Sequence, residues 1–162
     1  MALKIYKISE FNHKAKIGLF DELCKLLAER CEDGKEECIV VGNYNVEGVE
    51  IDAMVVTQYG VMVFDFKNGG GNIVAREVGE WTQNDHSVAG GAYGKSPMVN
   101  ARMMRNRLRS SSSKLLGCQL SDAKVVVVFS MASSIDDSAL SESTKSWLTV
   151  CDINNIADVL DK

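Results

Sequence analysis

The sequence predicts an α/β fold, a mixed central β-sheet flanked by helices. Three observations carry that prediction. Apolar residues recur at helical spacing over residues 17–30. KVVVVFS (residues 124–130) is a continuous apolar run, as in a strand buried on both faces. Two further apolar runs meet at Tyr59-Gly60 as a hairpin. The chain has 162 residues, 46% of them hydrophobic, enough for one domain (1–162) with its own core.

The elements follow in order. Ile17, Phe20, Leu23, Cys24, Leu27 and Cys31 line one face of the first helix, with Asp21, Lys25 and Glu29 opposite, and Asp33-Gly34 ends it. CIVVGNYNV (residues 38–46) reads as a strand, residues 50–57 as a second and residues 61–67 as a third. NGGGN (residues 68–72) reads as a loop, with a polar strand following towards Trp81. Residues 83–95 read as a glycine-rich surface loop. Ser96 and Pro97 suit the cap and first turn of a helix reaching about Ser110. After the 124–130 strand, residues 133–146 read as a loop and SWLTV (residues 146–150) as a last strand. Asp152 caps a final helix through Leu160. No repeat or linker divides the chain, and its end within a helix is what a module of a longer protein would show.

Composition excludes several classes. Charged residues make up 25%, an ordinary share that points to neither disorder nor a coiled coil. MALKIYKISEF is broken by charges and is no signal peptide, and no run approaches the ~20 apolar residues of a membrane span. A cytoplasmic protein with no membrane partner is expected. The five cysteines form no CxxC pair, and with two histidines they are poor material for zinc, so reduced, structural cysteines are expected. The net charge is −4, yet residues 86–121 contain no acid and six cations: Lys95, Arg102, Arg105, Arg107, Arg109 and Lys114. Such a patch on an acidic body is a phosphate-backbone footprint or a solvated helix face.

The most hydrophobic hairpin, VEIDAMVVTQYGVMVFDFKNGGG (residues 49–71), holds three charges that need a reason. Burying an unpaired charge is expensive, so Asp52, Asp65 and Lys67 call for a partner, a metal or a ligand. With Tyr59-Gly60 as the turn, Met54 faces Asp65, Asp52 faces Lys67, and all three charges share one face with Glu50 one step further out. Asp52 and Asp65 become diagonal neighbours, ~7 Å apart or less, a gap that one divalent cation bridges. An ion pair with Lys67 accounts for one carboxylate and leaves the other repelled.

Glu50-Ile51-Asp52, a hydrophobic strand, Gly60-Val61, then Asp65-Phe66-Lys67 and Asn68-Gly69 resemble the nuclease-related domain (NERD) family of the PD-(D/E)xK nuclease superfamily. Trp81 after the glycines, the helix KSPMVNARMMRNRL (residues 95–108) and the strand VVVVFS extend the likeness over roughly residues 15–160. The sequence departs from the family pattern at four places. Leu19 follows Gly18 where the family carries Glu, with Asp21 or Glu22 nearby as substitutes. Ser96 stands for Asn, Asn100 for Gln, and Asp65 for the commoner Glu.

The resemblance implies a restriction-endonuclease-like core that hydrolyses phosphodiester bonds in DNA with Mg²⁺ or Mn²⁺. It implies Asp52, Asp65 and an acid of the first helix (Glu22) as metal ligands, with the Phe66 carbonyl beside them. Lys67 would orient water or offset transition-state charge, and Glu50 would orient water or a second ion. Lys95, Asn100, Arg102, Arg105 and Arg109 are the candidate nucleic-acid contacts, the three arginines falling within a ~60° arc of a helix. DNA is favoured over RNA. The alternative is a nucleic-acid-binding or scaffolding module that keeps the fold without cleaving; a purely structural domain is a third possibility. AGGAYGKS (residues 89–96) is a P-loop decoy: Ala89 stands where Gly is required, and no buried strand precedes it.

Overall fold

The structure is a computed structural model that describes residues 3–32, 34, 36–89, 96–116 and 123–161. Eight described strands form one mixed sheet. They are β1 (Leu3–Lys7), β2 (Cys38–Val46), β3 (Val49–Thr57), β4 (Gly60–Arg76), β5 (Thr82–Gln83), β6 (His86–Ser87), β7 (Lys124–Ala139) and β8 (Leu148–Asp152). The helices are α1 (Lys14–Cys31), α2 (Pro97–Leu116), the short α3 (Glu142–Lys145) and α4 (Ile156–Leu160). β2, β3 and β4 form an antiparallel meander, with β1 added parallel to β2. The order closes with β4, β7 and β8 in parallel.

Each face of the sheet buries its own core. On one face Met98, Ala101, Met104 and Leu108 of α2 cover Val61, Val63, Val125, Val127, Phe129 and Trp81. On the other, Phe20, Leu23 and Leu27 of α1 and Ile156 and Val159 of α4 cover Val40, Val55, Phe64, Phe66, Val126 and Val128. The VVVVF run thus alternates between two apolar layers, which is why it shows no polar phase. Covering both faces with helices is the expected α/β solution.

Several expected details are corrected by the fold. The hairpin turn is Gln58-Tyr59, so Thr57 pairs with Gly60 and Met54 with Val63 rather than with Asp65. Gly60 has φ 144°, a conformation side chains resist, and it therefore follows the turn, while the Thr57 hydroxyl accepts the Tyr59 N–H at 3.1 Å. The slip is two residues, so side chains from Ala53 to Phe66 keep the faces expected of them, whereas those before Asp52 lie beyond a change of face.

NGGGN is no loop but the middle of β4. There the register against β7 shifts between Lys67 and Gly70 and again between Gly71 and Asn72. These bulges need the glycines: Gly71 has φ 78°, and a Cβ there would collide with the Asn84 side chain. Residues 133–139 continue β7, because the second half of β4 offers them a parallel partner from Gly70↔Met131 to Arg76↔Ala139. Their polar sequence carries no strand signal of its own. β5 and β6 are also unexpected. Asn84 and Asp85, both at positive φ (48° and 66°), make the two-residue turn between them.

The two expected helix caps are present. Ser96 Oγ accepts the Val99 N–H at 3.3 Å at the start of α2, and Asp152 accepts the Asn154 N–H at 2.9 Å before α4. Cys24, Cys31, Cys38 and Cys151 are free thiols. Among the described residues, no helix is long and apolar enough to cross a membrane.

Candidate active site

The ladder between β3 and β4 ends at Ala53↔Phe64, and Asp52 and Asp65 are the next residues outward. A local irregularity decides where Asp52 points. Gly42↔Ala53 and Tyr44↔Ile51 are both paired, but Asn43 and Asp52 between them are not. Asn43 sits at φ 47°, a conformation Asn tolerates, and its amide donates to the Glu10 carbonyl at 2.6 Å. On one side of this kink Val40, Ala53 and Val55 pack beneath α1. On the other, Ile51 and Val49 pack beneath α2. Asp52 lies at the change of face, so its carboxylate enters the cleft where the strands part.

There it replaces the missing ladder bond. Asp52 Oδ2 accepts the Phe66 backbone N–H at 2.7 Å, and Oδ1 accepts from Lys16 Nζ of α1 at 2.8 Å. Asp65 Oδ2 lies 3.3 Å from Lys67 Nζ and accepts from Asn100 Nδ2 of α2 at 3.2 Å. Both carboxylates are buried, at 3% and 4% exposure. Phe64 and Phe66, 6.2 Å apart between ring centres, anchor the alternate positions of β4 in the α1-side core and so fix the strand that carries Asp65 and Lys67.

The electrostatics follow from this crowding. Burial, then the nearby Asp65 charge, pushes the Asp52 carboxyl up to about 6. The Lys16 ammonium and the Phe66 N–H pull the other way. Burial pulls Lys16 down, but Asp52, Asp65 and Glu50 outweigh it and hold the ammonium above its ordinary range.

The hairpin trio is therefore brought together, and Asn100 joins it from α2. The other candidates lie elsewhere. Glu50 is exposed and acts on the site through its charge on Lys16. Glu22 lies on α1 six residues beyond Lys16, on a different face of the helix, and no three Asp, Glu, His or Cys side chains cluster at metal-holding distance among the described residues. Arg102 lies 3.4 Å from Glu77, and Arg105 packs 5.0 Å from the Trp147 ring centre and donates to the Ala123 carbonyl. Arg109 is close enough to Arg105 to lower its pKa, after the effect of burial. Lys95 lies outside the described residues.

Lys16 is the site residue that the sequence reading missed. A signal was present: Lys16 stands four, seven and eleven residues before Phe20, Leu23 and Leu27, in line with the buried stripe of α1. A cation on an apolar stripe calls for a buried partner, and Asp52 is it.

A family model described as nuclease-related domain matches residues 18–130. The chain belongs to the nuclease-related domain family. The match covers α1 from Gly18 onward, the charged hairpin, α2 and the buried half of β7, so it takes in Asp52, Asp65, Lys67 and Asn100, while Lys16 lies just before it. Membership brings a nuclease-related role and a nucleic-acid partner. No curated protein and no solved structure matches the chain significantly.

The donor set fits a hard divalent cation in type. It offers two buried carboxylates that repel each other and the Phe66 carbonyl next to Asp65 on β4. It is spare in number, because no third described acid completes it.

Proposed function

We propose that this nuclease-related domain is a metal-dependent phosphodiesterase acting on DNA. One observation carries the reading: Asp52 and Asp65, buried side by side where β3 and β4 part, with Lys67 on Asp65. Two adjacent buried carboxylates cost stability, and a fold keeps such a cost at sites where charge is used.

Asp52 and Asp65 would hold Mg²⁺ or Mn²⁺, which when bound supplies Lewis-acid polarisation of the phosphate and a more acidic water. The remaining roles belong to the chain itself. The Phe66 N–H and the Asn100 amide fix one oxygen of each carboxylate, so their free lone pairs are oriented before any ligand arrives. Lys67 supplies positive charge beside Asp65, where charge grows on the phosphoryl oxygens of the transition state. Glu50, exposed and near enough to act on Lys16 through its charge, would orient water.

One observation favours a second reading. Each carboxylate already holds an ammonium, Lys16 on Asp52 and Lys67 on Asp65, which is how a retired site that binds nucleic acid without cutting would neutralise itself. The test is nicking of supercoiled DNA and degradation of linear single-stranded DNA with Mg²⁺ or Mn²⁺, against EDTA. Cleavage in metal alone supports the phosphodiesterase. Salt-sensitive DNA binding with no cleavage in any metal overturns it in favour of the binding module.

A further inference from the structure

α1 brings a cation, Lys16, to Asp52, where an acid would have enlarged the metal-binding set. Its ammonium lies 2.8 Å from Asp52 Oδ1, and its stem rises from the same stripe as Phe20 and Leu23. Asp52, Asp65, Lys16 and Lys67 together carry no net formal charge, with Glu50 acting on Lys16 from outside the four. A divalent cation approaching Asp52 therefore meets an offset carboxylate pair, and both oxygens of Asp52 are already engaged, Oδ2 by the Phe66 N–H and Oδ1 by Lys16.

Lys16 is also able to leave. Its side chain is 24% exposed while that of Asp52 is 4% exposed, so the ammonium has a path to water that the carboxylate lacks. A flexible four-carbon stem makes that movement inexpensive, unlike withdrawal of a strand residue.

Resting on the metal-dependent reading above, we propose that Lys16 is a built-in competitor for the cation position on Asp52: the ammonium and a divalent ion occupy that carboxylate alternately. The ion enters by displacing Lys16 into solvent, so the resting site is neutral and holds metal weakly. Lys67 does not share this role, because its side chain is the more enclosed, 13% exposed against 24% for Lys16, and it lacks the same path to water.

The test is calorimetric titration of Mn²⁺ alone into wild type, Lys16→Met, Lys16→Gln and Asp52→Asn, at about pH 8, where carboxylates are ionised. Lys16→Gln keeps an N–H donor for Asp52, so a buried carboxylate is not stranded if Lys16→Met folds poorly. Removing a full charge beside the ligand is expected to tighten Mn²⁺ binding by about tenfold or more in both Lys16 variants, and Asp52→Asn to abolish it. If Lys16 serves structure only, both variants melt earlier and bind Mn²⁺ within about twofold of wild type, which overturns the proposal. That result leaves the phosphodiesterase reading intact if wild type still cleaves DNA with metal. Absence of Mn²⁺ binding in every variant overturns both.

Discussion

Asp52→Asn is predicted to stabilise the metal-free protein. The Asp52 carboxyl is raised from its ordinary 3.8 to about 6, first by burial and then by Asp65. At ~1.4 kcal/mol per pKa unit, ionised Asp52 costs the fold about 3 kcal/mol above pH 6, with the Lys16 attraction already included. The sign follows from the raised folded-state value: protonated Asp52 favours the fold below about pH 4, and that advantage is lost as the pH climbs through about 6. Asparagine imitates the neutral acid and can still accept the Phe66 N–H. Its amide then faces the Lys16 ammonium, donor against donor, and the lysine must turn to solvent. Net stabilisation of about 2 kcal/mol at pH 7.5 is expected, some 4–8 °C in Tm for a chain of this length. The assay is urea unfolding in EDTA, followed by the fluorescence of Trp81 and Trp147, at about pH 7.5 and pH 4.5. The two proteins should converge at the lower pH. A variant less stable than wild type by more than about 1 kcal/mol at pH 7.5 would refute the reasoning, because the Lys16–Asp52 pair would then stabilise more than burial costs.

Three further outcomes are expected. Gly71→Ala forces a side chain into φ 78° and against Asn84, and thermal unfolding should show a loss of about 2 kcal/mol. Trp81→Phe removes the indole N–H that the Arg76 carbonyl accepts at 2.9 Å and shrinks a fully buried side chain, which should cost about 1–2 kcal/mol in denaturant titration. Asn100→Ala removes one of two donors from Asp65 Oδ2, so DNA cleavage should fall about tenfold while circular dichroism stays unchanged.

How much of this was legible depends on whether a residue speaks through its own neighbours or through a distant partner. The VVVVF strand, the apolar stripe of α1, the Ser96-Pro97 helix start and the charges of the hairpin are local patterns, and the fold keeps them. β7 beyond Ser130 is a strand only because β4 runs beside it, and its serines and aspartates could not announce that. β1 was silent for a similar reason: it is an edge strand exposed at four of its five positions. The face change at Asp52 depends on Asn43 in the neighbouring strand, and the hairpin's own alternation could not show it. Lys16 was legible in principle, as a cation on a buried stripe, but its partner lies 36 residues away. The arginines of α2 read as a substrate track, and the partners that Arg102 and Arg105 have within the fold, Glu77 and Trp147, lie far along the chain where the helix pattern could not show them.

The central claim is that the hairpin charges perform chemistry rather than hold substrate or structure. The most direct measurement pairs cleavage with binding on one DNA, for wild type, Asp65→Asn and Lys67→Ala. Cleavage is followed in Mg²⁺, and binding by fluorescence anisotropy in Ca²⁺. The account predicts that both variants lose about a thousandfold or more in cleavage while their DNA affinity stays within about threefold of wild type. Variants that cleave as well as wild type, or that lose binding and cleavage in equal measure, would contradict it.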